Sequence, residues 1–165
     1  MKEKMNTYLL IKTLHIISSV LIVGTGFGTA FYLFFANRSG SVAAMSVVSR
    51  LVCRADLWFT TPAAVFQPLS GLWLAHAAGY AWTTPWLMLS IGLYVFAGIC
   101  WLPVLVLQVR MARMASAASA SGALAMPAEY WQYAKRWELL GYPAFIAMIV
   151  IYFLMVTKPV LTGIA

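Results

Sequence analysis

Acidic side chains, histidine and cysteine are all scarce in this sequence. Among 165 residues there are four Asp and Glu, two His and two Cys, and charged residues make up only 9%. The acidic residues all lie outside or at the edges of the long apolar runs, so no carboxylate pair is placed for acid–base catalysis. They are Glu3, Asp56, Glu129 and Glu138. The sequence also lacks a nucleophile triad, an HExxH pattern and a phosphate-binding loop, so we predict no catalytic residue for hydrolysis or phosphoryl transfer.

Charge is missing altogether from several long stretches, the longest running from Leu57 to Val109. Thr13 to Phe35 and Leu139 to Thr157 are two more uncharged runs. A helix needs ~20 apolar residues to cross the hydrocarbon core, and the longest run provides enough for two. The sequence therefore predicts an all-α fold, a transmembrane four-helix bundle that forms a single membrane domain over 1–165. The predicted spans are about 8–35, 57–78, 85–110 and 137–158.

Two segments between the spans have distinctive compositions. Residues 41–56 mix valines with serines and arginines, which is typical of an amphipathic helix. We expect this segment to lie in the membrane interface or to extend the second span inward. Residues 115–125 are almost entirely Ala, Ser and Gly, and this composition predicts a low-complexity linker without chemistry.

The net charge of +7 does not indicate nucleic-acid binding, because the basic residues cluster at the ends of the apolar runs. In that position they help to set the orientation of the helices in the membrane. The first and third loops hold most of them, and the second loop holds none. These basic residues are Arg38, Arg50, Arg54, Arg110, Arg113, Lys135 and Arg136. Since Lys and Arg are retained in the cytoplasm, we expect both termini to lie outside it. Because the chain is predicted to span the membrane, its predicted partner is the lipid bilayer.

The two histidines are the residues most able to carry chemistry. His15 lies in the first span and His76 near the end of the second, and antiparallel threading brings both towards the same half of the membrane. Two imidazoles at similar depth on neighbouring helices can hold a haem iron from both sides. Two lysines could each pair with a haem propionate, namely Lys12, one turn before His15, and Lys158 at the end of the last span.

A second interpretation needs no cofactor. His15 would then hydrogen-bond across helices to a hydroxyl, and His76 would sit among lipid headgroups. Gln67 and Gln108 would link helices in the same way. The cysteines, Cys53 and Cys100, have no metal-binding spacing and read as small buried hydrophobes.

Small residues in the first span suggest a close helix contact. Gly24, Gly26 and Gly28 form a packing face, which makes a homodimer through Gly24 and Gly28 plausible. The alternative to a haem protein is a non-enzymatic membrane protein, either an accessory subunit or a small transporter. Methionines at 88, 148 and 155 are soft ligands that suit Cu(I), although they show no paired spacing.

Four short motifs carry a resemblance to a known family. They are Ile11 to Ile17 (IKTLHII), Gly71 to Leu74 (GLWL), Arg136 to Pro143 and the closing Lys158–Pro159. Over nearly the whole chain the sequence resembles an uncharacterised bacterial integral-membrane family, domain of unknown function 2269. More distantly it resembles the HemJ-type protoporphyrinogen oxidases, small helical membrane proteins that bind b-type haem and carry a first-helix histidine in a K-x-x-H-I setting.

This resemblance implies haem b as cofactor, His15 as an axial ligand and a multi-pass protein of the bacterial inner membrane. The sequence departs from the oxidases at Trp86 to Ser90, where those enzymes carry a lysine shortly after the tryptophan and this chain has none. The resemblance thus points to haem binding more directly than to porphyrinogen oxidation. If the protein is an enzyme, we expect an oxidoreductase.

Overall fold

The computed structural model describes residues 2–160, with side chains from residue 5 onward, and every regular element in this part is helical. Five α-helices follow one another, with one π-helical turn between the second and third. They are α1 (Lys2–Arg38), α2 (Val42–Ala55), the π segment (Asp56–Thr60), α3 (Thr61–Ala77), α4 (Pro85–Ala120) and α5 (Ala128–Thr157). Met1 and residues 161–165 of the predicted domain lie outside the described residues.

Three of the helices are long and apolar enough to cross a membrane. These stretches are Met5–Arg38, Pro85–Ala120 and Ala128–Thr157, with 34, 36 and 30 residues. At ~1.5 Å per residue even the shortest measures about 45 Å, which exceeds the ~30 Å of the hydrocarbon core. Each helix is therefore longer than one perpendicular crossing requires, and predicted membrane helices are confirmed at these three places.

The second predicted span, 57–78, is the π segment together with α3. It continues directly from α2, because Asp56 at the junction keeps helical dihedral angles, φ −65° and ψ −40°. Residues 42–55 therefore form a helix that is continuous with the π segment. Two members of its buried face, Met45 and Val52, are 1% and 2% exposed.

The predicted linker at 115–125 is mostly helical, which corrects the sequence interpretation. Helix α4 continues to Ala120, and Ala115 and Ala118 pack into the core at 0% and 9% exposure. Alanine is the best helix former, so a run of Ala and Ser continues a helix that has a partner to pack against. Gly122, with φ +67°, then turns the chain towards α5.

The helices pack as two pairs, which contact each other through α2 at one end and through a small apolar core of α3, α4 and α5 residues at the other. Helix α1 packs along α3, α4 packs along α5, and α2 lies against both α1 and α4. We call the end of the bundle that holds α2 and the loop arginines the basic end. The opposite end, with residues 78–84 and Lys158, is the distal end. The main core lies towards the basic end and includes Leu33, Met45, Met111, Ala115 and Tyr130, all at most 1% exposed.

Polar contacts close the basic end between α1 and α5. The Tyr130 hydroxyl donates to Asn37 Oδ1 at 2.6 Å, and both residues are buried. Arg38 forms an ion pair with Glu138 at 3.6 Å and lies over the Phe34 ring, 3.3 Å from its centroid. The ends of α1 and α5 are thus fixed to each other where both helices leave the apolar region.

Candidate functional site

His15 lies at the contact between α1 and α3, and Gly71 allows the close approach. A Cβ built on Gly71 would stand 3.0 Å from His15 Cε1, closer than real Cβ contacts normally come. Glycine at this position therefore lets the backbone of α3 pass directly beside the imidazole. The histidine is half-buried, with its ring between the two helices.

The Nδ1 atom of His15 meets the hydroxyl of Ser70 on α3, with 2.8 Å between Nδ1 and Oγ. Ser70 Oγ also lies 2.8 Å from the Phe66 carbonyl, to which it donates. A hydroxyl has one hydrogen to give, so Ser70 must accept from His15. His15 is therefore assigned as the tautomer with hydrogen on Nδ1 and a lone pair on Nε2.

The Nε2 atom of His15 faces the carboxamide of Gln67, 3.1 Å from its Nε2 nitrogen. An amide nitrogen can only donate, which agrees with the tautomer assigned from Ser70. The other atom of the carboxamide, Oε1, makes a short contact with the Ser18 hydroxyl on α1, and this hydroxyl also lies 2.9 Å from the His15 carbonyl oxygen. Ser18, Gln67, His15 and Ser70 therefore form one continuous polar chain, which we call the histidine cluster.

This geometry matches the second sequence interpretation for two of its residues. His15 does hydrogen-bond across helices to a hydroxyl, and Gln67 does link α3 to α1. The sequence analysis missed Ser18, Ser70 and Gly71. The sequence could have indicated these residues, because positions three or four apart lie on the same face of a helix. Ser18 follows His15 by three residues, and Ser70 and Gly71 follow Gln67 by three and four.

The structure does not bring His76 to His15. His76 is exposed in the last turn of α3, and its ring stacks on Trp82 with 6.4 Å between centroids. It follows Gln67 by nine residues, a rotation of ~180° around the helix axis, so it projects from the opposite side of α3. One haem between the two histidines does not fit this arrangement.

The two lysines have different surroundings. Lys12 is exposed on α1, one turn before His15. Lys158 ends α5 in a left-handed conformation, φ 44°, and its Nζ donates to the Tyr80 hydroxyl at 3.0 Å. Lys158 also lies over the Tyr80 and Trp86 rings, which places it in an aromatic setting at the distal end.

Comparison with known proteins establishes the family. The sequence pattern described as "Predicted integral membrane protein (DUF2269)" matches residues 9–159. The chain belongs to this family. The match covers the whole histidine cluster of this DUF2269 protein, together with Lys12, His76 and Lys158, and it supports an integral membrane protein. No curated protein and no solved structure matches the chain.

The residues of this DUF2269 protein fit a haem held by one histidine better than one held by two. Histidines that bind a metal commonly donate their second ring N–H to a fixed acceptor, as His15 does to Ser70. Within the described residues no group of three or more His, Cys, Asp or Glu is arranged for a metal ion. The histidine cluster is therefore the candidate site.

Proposed function

We propose that this membrane protein binds haem b, with His15 Nε2 as an axial ligand to the iron, and serves a redox or haem-handling role. The observation that supports this most is the hydrogen bond from His15 Nδ1 to Ser70 Oγ, at 2.8 Å. In the tautomer assigned above, this bond orients the ring and leaves the lone pair on the nitrogen that axial histidines use.

Gln67 is the group that must move for this function. Its carboxamide shares Nε2 of His15 at 3.1 Å, and rotation of its side chain would free that nitrogen. Lys12, one turn away on the same helix, supplies a positive charge for a propionate, whereas Lys158 is engaged with Tyr80. A bound haem would supply one-electron redox chemistry, and the protein would set its ligand and its surroundings.

The test is an absorption spectrum of the detergent-purified protein from haem-supplied cells, before and after dithionite, with extracted haem quantified in parallel. We expect a reducible haem band in stoichiometric amount. Ser70→Ala should weaken haem binding about 10- to 100-fold, because it removes the acceptor that orients the ligand. Gln67→Ala should bind haem at least as well as the wild type. A colourless wild-type preparation contradicts the proposal.

We also propose that the chain crosses the bilayer four times in the bacterial inner membrane, with both termini outside the cytoplasm. The π segment and α3 together cover residues 56–77, and at ~1.5 Å per residue this length suffices for a fourth crossing. Reporter fusions at both termini test the topology. Activity of a cytoplasm-specific reporter at either terminus contradicts it.

A second function, that of an accessory subunit, is compatible with the open surface at the α1 glycines. Nothing lies within 4 Å of where a Cβ would stand at Gly24, Gly26 or Gly28. A helix of a second copy could pack there closely. We expect a Gly24→Ile, Gly28→Ile double variant to shift the protein from dimer to monomer. The control variant Gly92→Ile, on the equally open surface of α4, should leave the oligomeric state unchanged. An unchanged oligomeric state in both variants contradicts this interface.

The copper form of the transporter alternative has less support from the structure. Met88 is 56% exposed on α4, and Met155 packs against a small apolar core at the distal end. Elemental analysis of the purified protein separates the classes, because a haem protein contains iron, a copper protein contains copper and an accessory subunit contains neither.

A further inference from the structure

Pro68 leaves one backbone carbonyl of α3 without its helical hydrogen bond. The proline lies inside α3, which runs from Thr61 to Ala77. In an α-helix the N–H of residue 68 would bond to the carbonyl of Ala64, one turn earlier, but proline has no N–H to donate. No charged residue lies between Leu57 and Val109, and in such an apolar stretch a freed carbonyl is paired by a neighbouring helix or side chain.

Tyr94 of α4 is the donor that pairs this carbonyl. Its hydroxyl donates to the Ala64 carbonyl oxygen, with 2.7 Å between the two oxygen atoms, a normal length for a bond of this kind. Tyr94 is half-buried, and its one hydroxyl hydrogen is used in this bond. The bond therefore replaces the one that Pro68 removed, and it ties this turn of α3 to α4.

The adjoining turn of α3 carries the partners of His15. Gln67 directly precedes Pro68, and Ser70 and Gly71 follow the proline by two and three residues. His15 Nδ1 lies 2.8 Å from Ser70 Oγ, and His15 Nε2 lies 3.1 Å from Gln67 Nε2. At these separations a shift of about 0.5 Å in the α3 backbone lengthens the contacts beyond ordinary hydrogen bonds. The histidine cluster therefore depends on the course that α3 takes through Pro68.

We infer that Tyr94 is a positioning residue for the histidine cluster. By pairing the Ala64 carbonyl, its hydroxyl holds α3 in the course that places Ser70 and Gln67 against His15. The members of the cluster belong to α1 and α3, so this bond links the site to a third helix, α4. The consequence for haem rests on the proposed function, whereas the orientation of His15 is measurable in the haem-free protein.

The first experiment is nitrogen NMR of haem-free protein that carries isotope-labelled histidine. The His76→Ala variant is the background, because it leaves His15 as the one labelled imidazole. We expect Tyr94→Phe, which removes only a hydroxyl, to move the Nδ1 resonance of His15 towards its position in Ser70→Ala, where the hydrogen bond is lost. Tyr142→Phe is the control, because Tyr142 is 61% exposed on α5. An unchanged His15 resonance in folded Tyr94→Phe overturns the inference.

Replacement of Pro68 distinguishes positioning from a general effect on stability. Pro68→Ala restores a backbone N–H that can pair with the Ala64 carbonyl, so the Tyr94 hydroxyl is no longer needed there. In that background Tyr94→Phe should leave the His15 resonance almost unchanged, and a shift as large as in the Pro68 protein overturns the inference. If Tyr94→Phe alone does not fold, the double variant should fold for the same reason. A double variant that also fails to fold overturns the inference.

Haem titration of the same variants measures the consequence for function. We expect Tyr94→Phe to weaken haem binding roughly two- to tenfold, which corresponds to the loss of one hydrogen bond, and to have less effect after Pro68→Ala. Unchanged haem affinity together with a shifted His15 resonance overturns the role of Tyr94 in haem binding. A wild-type protein that binds no haem contradicts the proposed function, and the NMR comparison then decides the positioning role by itself.

Discussion

The basic end and the α1–α3 contact differ in how completely their polar side chains are hydrogen-bonded within the protein. In the histidine cluster every polar side chain has a partner from the protein itself, from Ser18 through to Ser70. At the basic end the core is larger, yet three buried polar atoms have no partner within the described residues: Asn37 Nδ2, Gln108 Oε1 and Trp137 Nε1. Lipid supplies no hydrogen bonds, whereas water and ions can reach polar groups that lie near the membrane surface.

The two regions also differ in what surrounds them. Large apolar side chains of α1 face outward next to the histidine cluster, for example Ile16 at 52% and Ile17 at 50% exposure. At the basic end Leu33, Met111 and Tyr130 are fully buried between helices. We infer that the basic end provides most of the packing stability, and that the α1–α3 contact carries the function. The following predictions test this division.

The largest loss of stability should come from Tyr130→Ala. This side chain is 0% exposed and bonded to Asn37, so its removal leaves a cavity and an unpaired acceptor. We expect a loss of roughly 3–5 kcal/mol in the free energy of unfolding, as for other buried aromatic residues. Tyr142→Ala is the matched control, because Tyr142 lies on the same helix and is 61% exposed. Equal losses in both would show that the basic end is not the stable region.

Gly71→Val should separate α1 from α3. The added side chain begins 3.0 Å from His15 Cε1, so the imidazole or the helix must move. We expect about 1–3 kcal/mol of destabilisation from overpacking, together with loss of haem binding. Gly92→Val on α4, where nothing lies within 4 Å, controls for the change in helix propensity. Reversible unfolding and haem titration of both variants measure the difference, and a Gly71→Val protein that binds haem normally contradicts the assigned site.

Ser70→Ala should affect function more than stability. Hydrogen bonds between membrane helices contribute about 0.6 kcal/mol on average, so the unfolding free energy should change little. The haem titration described above should nevertheless weaken, because the imidazole loses its orienting acceptor. A large loss of stability with unchanged haem binding would reverse the roles that we assign to the two regions.

The smallest effect should come from Glu138→Gln. Its ion pair with Arg38 is partly exposed, with side-chain accessibilities of 52% for Arg38 and 27% for Glu138. Such pairs contribute about 0–1 kcal/mol, and salt screens them. We expect the difference from the wild type to disappear as the salt concentration rises. A large and salt-independent loss would mean that this pair belongs to the buried core.

Hydropathy predicted where the chain is apolar, but not how far its helices extend. Helices α1, α4 and α5 were predicted because their uncharged runs match the bilayer thickness. The helices α1 and α4 extend beyond the predicted spans 8–35 and 85–110, because polar helical residues such as those near Arg38 and Ala120 carry no signal of lipid. The π segment at 56–60 could not be predicted, since a π turn has no periodicity that distinguishes it from the helices around it.

The candidate site was predictable in part. His15 stood out because an ionisable residue inside an apolar helix is rare, and a cross-helix hydroxyl partner was one of the two interpretations. The identity of that partner depends on how α1 and α3 rotate against each other, which Gly71 sets through close contact. His76 was grouped with His15 by depth alone, and depth does not reveal which side of a helix a residue occupies.

The central claim is that His15 alone of the two histidines holds haem. The most direct test compares the haem content and the reduced absorption spectrum of His15→Ala and His76→Ala, purified in parallel with the wild type. Under the proposed function we expect His15→Ala to lose the haem band and His76→Ala to keep it. Full haem content in His15→Ala, or loss of the band in His76→Ala with an intact fold, would contradict the account.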